Sequence, residues 1–531
     1  MNRTLITATL LFWLILVPAA FGDNLPSPTP RRGGILQLAQ PSDIRSLDPA
    51  IAFDSFSIPM VHLMFRGLLD YDDGTGLVPD QAKDWNISPD GKTYTFHLRA
   101  GTRFASGREV EAEDYICAFE RILSPKLASP GETYFLAIAG AREFVDGKAA
   151  HVSGLRAPDK STLVIELKEP QFTFRYVLAM TFACPVPREA VQKYGADFSS
   201  HLVGSGPYRL TEWRRGISCR LRRNPYYSGP DGYVDGVDLM IGCDDTVMTM
   251  MLERGELDQV PLASPAQAAR FKRDPALRSW LTLADAAETD YFFMNTEMKP
   301  FDDVRVRQAV NYAIDRDRLV KLSGGFAVVA HGVVPPVIPW NNPGLPRYDF
   351  NPDRARALLR EAGFPSGFKT ELWYSGDQPI YARLAQGIQQ DLREVGIEIE
   401  LRPANLTAFD QKVTTRHSAP CGVWGWFQDY PDPSDFLDVL LNGERITDVE
   451  CNNQAFYNNP EVNRSLDAAG NSLDAGERMR LFQQAEDQVM RDAPWAPLVH
   501  ERIPVLYNPR VHGTAPHPVW LWRYEYMWLD P

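Results

Sequence analysis

Apolar positions along this chain change period several times, and each change marks an element. After Pro89-Asp90 and again after Pro158-Asp159, a turn leads into strict alternation (Tyr94, Phe96, Leu98; Leu163, Ile165, Leu167). Both phrases predict strands leaving tight turns. Farther along the period lengthens. Val306, Val310, Ala313 and Ile314 recur at helical spacing within 302–322. Asn351 followed by Pro352 predicts a capped helix start, and Gly363 its end. Ile380, Leu384, Ile388 and Leu392 form one apolar face closed by Gly396, after which 397–401 alternates as a strand. A further amphipathic helix is predicted over 474–491, stopped by Pro494. Helix, glycine and strand in succession is an α/β building block. The chain therefore reads as mixed α/β, with a more β-rich stretch over about 66–200.

One apolar run fits neither period. Residues 5–20 follow Arg3, and Ala20-Phe21-Gly22 closes them with small residues at the positions a signal peptidase reads. The expectation is a secretory signal peptide over 1–22 and a Pro-rich leader over 23–32 (Pro26, Pro28, Pro30). An uncleaved anchor is the alternative, but the run falls short of the ~20 apolar residues of a membrane span. No cysteine follows the cut, which argues against a lipid anchor and for a free periplasmic protein. Export permits disulfides among Cys117, Cys184, Cys219, Cys243, Cys421 and Cys451. Cys219 and Cys243 lie in two β-like runs, Cys421 and Cys451 are a second candidate pair, and free buried thiols are the third alternative.

Composition narrows the class. The 531 residues are enough for about three or four domains, or two large lobes. The net charge of −13 argues against a nucleic-acid partner, which needs clustered Lys and Arg. Aromatics at 11%, with 12 Trp, point to aromatic-lined clefts. No G-x-S-x-G or H-E-x-x-H is present, and no C-x-x-C or His at zinc-ligand spacing, so neither catalysis, a metal nor a cofactor is expected. Gly91-Lys92-Thr93 looks like the end of a P-loop, but Asn86 stands where that motif needs its first glycine, and the flanks read as a hairpin.

Several phrases in order resemble the family 5 solute-binding proteins of ABC importers, the oligopeptide/dipeptide-binding group. They begin with Gly33-Gly34, Ser46-Leu47-Asp48-Pro49, Phe65-Arg66-Gly67-Leu68-Leu69 and Ser88-Pro89-Asp90-Gly91-Lys92-Thr93. Gly204-Ser205-Gly206-Pro207-Tyr208 and Asn224-Pro225-Tyr226 follow, then Val304-Arg305-Val306-Arg307-Gln308-Ala309 and Trp426-Phe427-Gln428-Asp429-Tyr430-Pro431-Asp432-Pro433. The resemblance implies a two-lobed, type II periplasmic-binding-protein-like α/β fold with an additional third domain. Lobe I would be discontinuous (31–65, 201–285 and 501–531), the extra domain would be 66–200, and lobe II 286–500.

It also implies a receptor that takes a peptide into an interlobe cleft and passes it to a membrane ABC permease, as a monomer and without catalysis. A promiscuous receptor should grip the peptide backbone and its charged ends. The ligand backbone would lie between Phe53-Asp54-Ser55 and Gly425-Trp426-Phe427. Asp429 would hold the α-ammonium, with a turn role as its alternative. Trp424 and Trp426, on one face of a strand, would wall the pocket or pack a core. Asp432 and Asp435 read as turn and helix-start residues, Arg416 and His417 as surface groups, and Arg305 and Arg307 as surface or interdomain partners. No residue is assigned to the ligand carboxylate. Alternatives are the same fold holding a nickel chelate, haem or oligosaccharide, a binding or chaperone protein outside transport, and a secreted hydrolase.

Overall fold

The two echoing turn-and-strand phrases lie side by side. In the computed structural model, which describes residues 29–340, 342 and 344–530, Thr93–Leu98 pairs antiparallel with Thr162–Glu166. Ala82–Ile87 and Leu155–Asp159 complete a four-stranded sheet. The alternation is explained by burial: Tyr94, Phe96, Leu163 and Ile165 all point into a core. Gly91 sits at φ +73° in the hairpin turn, where its N–H donates to the Ser88 carbonyl, so this loop is a turn and not a phosphate cradle. The signal-peptide segment 1–22 and most of the 23–32 leader lie outside the described residues.

A second four-stranded sheet runs in the order Ile35–Gln40, Gly236–Ile241, Ser218–Arg223, Tyr208–Arg214. Its core is continuous with that of the first sheet: Leu36, Leu221 and Leu239 belong to the same buried cluster as Tyr94, Phe96 and Trp522. Gly204 and Gly206 press against this junction, where a Cβ on either would collide with the Met64 peptide unit. That close approach explains the Gly-Ser-Gly spacing read in the sequence.

The third sheet has seven strands and two long members, Leu281–Met294 and Trp495–Tyr507, paired antiparallel. Near their middle Ala286, Ala287 and Glu288 stand against Glu501 alone. A bulge of this kind bends a strand and breaks its ladder. Beyond it, apolar clusters cover both faces of the sheet, one around Phe292, Ile388 and Leu498, the other around Phe293, Phe436 and Trp495. Phe368–Ser375, helix Pro379–Glu394 and Ile397–Ala404 form a parallel β-α-β unit, as the glycine-closed pattern predicts.

Side chains cap several helix starts, including the one expected at Asn351. Asn351 accepts the Arg354 N–H ahead of Pro352–Glu361, and Asp474 accepts the Glu477 N–H ahead of Ala475–Asp492. The periodic stretch 302–322 is two helices, Val304–Ala313 and Arg316–Leu322. Ile314 is extended, and the Asp315 side chain caps the second helix at the Arg318 N–H, a local bond that outcompetes continuation. All six cysteines are free. Cys219 stands opposite Leu239, four residues before Cys243 on the neighbouring strand's chain, and the thiols of Cys421 and Cys451 turn toward the carbonyls of Glu371 and Asn453. Neither candidate disulfide forms.

Candidate functional site

Strand Cys421–Phe427 is central in the seven-stranded sheet, with Met294 opposite Cys421 and Glu288 opposite Phe427. It therefore ends at the bulge. The chain continues outward from there: the Gln428 N–H donates to the Ala287 carbonyl at 2.9 Å, and Asp429 follows in a loop. This loop meets two other parts of the molecule around a cavity of about 300 Å³. Phe53, Asp54, Ser55 and Ile58 form one side together with Val519 and Trp520. Met180, Thr181 and Phe182 form the second, and Phe427, Gln428 and Asp429 the third.

The walls are aromatic. Phe53 packs against Phe182 at 5.3 Å between ring centroids and edge-on to Tyr134 at 6.4 Å. Phe53 and Phe427 are nonetheless 39% and 38% exposed, large apolar rings turned to the opening rather than into a core. Trp520 is fixed from behind, stacked on His62 at 4.3 Å with its Nε1–H donated to Asp70 at 2.8 Å.

Asp429 is half-buried and tied across the gap: the Tyr134 hydroxyl donates to its Oδ2 at 2.7 Å. Its own N–H donates to Asp435 Oδ2 at 3.0 Å. Burial pushes the Asp429 carboxyl up to about 6, with the Tyr134 bond pulling the other way. Asp54 has one oxygen engaged, Oδ1 accepting the N–H groups of Phe56 and Ser57.

Not every residue expected at the site lies on this cavity. Trp424 packs inside, 4.9 Å from Phe409 and 6.0 Å from Tyr381 between ring centroids. Trp426 gives its Nε1–H to Asp435 at 3.1 Å. Gly425 pairs with Asp290, and a Cβ there would strike the Asp290 carboxylate and the Tyr381 hydroxyl. On its other edge the strand meets Phe368–Ser375 in register only at Gly422. Met180, Thr181, Phe182, Val519, Trp520 and Tyr134 were not singled out in the sequence; the surplus of aromatics was the only signal.

The loop after Asp429 is more than a turn. Asp432 binds Arg478 through both oxygens, at 2.8 and 2.9 Å, and both side chains are buried. Phe172, from the far side of the gap, lies over the Arg478 guanidinium at 3.7 Å, and Tyr176 stacks on Tyr430 at 6.2 Å. Asp435 is fully buried and its carboxyl is held well above the ordinary range by desolvation and by Asp429. Arg416 is a surface group paired with Glu297 and Asp448, and His417 joins the same Glu297. Arg305 pairs with Asp303 at the surface, whereas Arg307 is buried and binds the carbonyls of Phe301 and Asp492.

Three carboxyls cluster behind the bulge. Buried Asp290 hydrogen-bonds half-buried Glu501, which takes a proton between them, and Glu288 is pushed up to about 8 by desolvation and by Glu501. A carboxyl raised in the folded state favours folding while it is protonated and loses that contribution as pH rises through its folded value. The melting temperature is therefore expected to fall as pH rises from about 4.5 to about 8 and to level off above that. Glu288→Gln should flatten that slope, by on the order of 1–2 kcal/mol between pH 5 and pH 8 given its partial exposure; thermal melts across pH check this.

A larger cavity, about 460 Å³, lies elsewhere, between Arg66, Asp80, Gln81, Tyr226 and Asp231. Its central cation, Arg66, is spent on Asp231 and Asp70. The smaller cavity, with unspent carboxylate oxygens and exposed rings, is the candidate site.

Comparison with known proteins bears on the family and the fold. A sequence profile described as bacterial extracellular solute-binding proteins, family 5 Middle, matches residues 76–448. The chain is 29% identical over 478 residues to the glutathione-binding protein GsiB of Salmonella choleraesuis, covering 89% of this chain and 90% of the relative. The structure is similar to that of the clavulanic acid biosynthesis oligopeptide binding protein 2, with a TM-score of 0.88 and 28% identity over 95% of this chain and 97% of that one. It is also similar to the periplasmic binding protein DppA from Helicobacter pylori in complex with the peptide STSA, with a TM-score of 0.77 and 26% identity over 94% and 99%.

Proposed function

The chain belongs to the family 5 bacterial extracellular solute-binding proteins of ABC transporters and has their two-lobed type II fold, and from that premise we propose that it captures short peptides between its lobes and delivers them to a membrane permease. In this reading 31–65, 201–285 and 501–531 form one lobe, 66–200 the extra domain and 286–500 the other lobe. It works in the periplasm, after loss of 1–22, as a monomer that returns its guest unchanged.

The observation that carries the reading is Asp429: a half-buried carboxylate on the loop leaving the bulge, facing an aromatic cavity that parts of the chain far apart in sequence enclose. A peptide ammonium is the complementary group, since a buried charge needs a partner. Phe53-Asp54-Ser55 on one side and the strand end Gly425-Trp426-Phe427 on the other supply the two rims between which an extended backbone would lie, with Trp424 and Trp426 stiffening the second rim from behind. The volume, about 300 Å³, sits at the small end for ligand pockets and suits a short peptide. Opening and closing would use the bulge in the two long strands.

Native mass spectrometry of the purified protein, followed by calorimetry with the peptide so identified, tests this. A co-purifying peptide returned intact supports the reading; a hydrolysed product or a metal chelate, haem or oligosaccharide overturns it. The amine clamp also predicts a pH dependence. Asp429 titrates near 6 without a guest and must be ionised to hold an ammonium. Affinity for a free-amine peptide should be level above pH 7 and fall about tenfold per unit once pH drops below 6. An unperturbed carboxylate would hold affinity down to about pH 4.

A further inference from the structure

We infer that the guest carries net positive charge: a short peptide or amine with more cationic than anionic groups and an apolar body. This rests on the cleft reading above and deepens it.

The lining decides the sign. Asp54 and Asp429 both face the cavity, and among the described residues no lysine, arginine or histidine lines it. Each carboxylate has one oxygen engaged within the protein, Asp54 Oδ1 by backbone N–H groups and Asp429 Oδ2 by Tyr134, and the other is open to a guest. Gln428 adds an independent signal. It is 5% exposed, and its Nε2 donates to the Pro518 carbonyl at 2.7 Å, which fixes the amide's orientation. Its Oε1 is then left buried without a hydrogen-bond partner among the described residues. A buried acceptor lacking a donor is costly to the protein alone and is relieved by an N–H from a guest. The cavity thus offers acceptors and aromatic faces, and it has no charge to neutralise a carboxylate.

Arg478, which anchors the loop that carries Asp429, is already committed to Asp432. A zwitterionic peptide would leave its carboxylate unpaired on entering, and an acidic one would add repulsion from Asp54 and Asp429. A second ammonium or a guanidinium has a place: one cation on Asp429, one on Asp54, an N–H on Gln428 Oε1, and the rings of Phe53, Phe182 and Phe427 around the apolar part and beneath any cation.

The test is calorimetry on the full mature chain, freed of carried-over guest by unfolding and refolding. The probes are tripeptides of one sequence, varied in charge: Lys or Glu at the second position, each with a free or an amidated C-terminus. Agmatine serves as a cation that is not a peptide. Amidated Lys tripeptides should bind at least about tenfold tighter than Glu tripeptides with a free carboxylate, and amidation alone should tighten binding. Equal or tighter binding of the acidic peptides overturns the inference and leaves the peptide-receptor reading standing. Agmatine binding without any peptide binding sinks the peptide reading and supports a cationic guest. Binding of neither sinks both.

Discussion

Replacing Arg478 with alanine is expected to cost about 3–5 kcal/mol of stability, the usual loss when one partner of a buried ion pair is removed. The side chains of Arg478 and Asp432 are only 4% and 6% exposed, so water cannot take over the abandoned carboxylate. Arg478 also donates to the Ala469 carbonyl at 2.5 Å, which would lose its donor too. The pairing holds the loop that carries Asp429, so the binding rim should loosen together with the core. The check is the urea midpoint of the variant set against that of Asp432→Ala with Arg478→Met. Removing both charges should recover most of the loss, because apolar replacements of a whole pair are far better tolerated than a stranded charge. Equal losses in the single and double variants would show that the pair is not what holds this loop.

Asp429→Asn is expected to weaken binding of a free-amine peptide by about ten- to hundredfold, the 1.5–3 kcal/mol of a hydrogen bond to a charged group. The asparagine keeps the shape and can still accept from Tyr134, so the change removes charge and little else. N-acetylated versions of the same peptide carry no ammonium and should lose much less. Calorimetry of the two peptide forms on both proteins gives the comparison. Equal losses for both would remove Asp429 from the role of amine partner.

Much of this architecture was legible because local chemistry and global packing agree along most of the chain. Capped starts at Asn351 and Asp474, and the glycine-closed helix before 397, are decided by neighbours within four residues. The break at Ile314 was hidden because the apolar spacing runs straight through it, and only the Asp315 side chain, bonding to its own backbone environment, ends the helix. The site divides the same way. Phe53, Asp54, Ser55, Phe427 and Asp429 could be nominated from phrases in family order, and the structure brings them to one cavity. Trp424 could not be placed, because alternation puts it and Trp426 on one face of a strand without saying what covers that face; here Tyr381 and Phe409 do. Phe182 and Trp520 reach the cavity from segments about ninety residues or more from either rim's motif, where no spacing rule operates. The Arg478 partner of Asp432 was invisible for the same reason: a turn-like Pro-Asp-Pro phrase carries no mark of a cation 46 positions away.

The unbroken apolar cluster that joins the hairpin sheet around Tyr94 to the sheet around Leu36 has a mechanical consequence. Those two pieces cannot rotate past each other without exposing their shared interior, so under the proposed two-lobed reading they form one arm, and the seven-stranded sheet with its helices the other. Phe172 and Tyr134 ride on one arm, and the residues they touch, Arg478 and Asp429, ride on the other. If the arms separate as proposed, both contacts must break, and they reform only when the arms meet again.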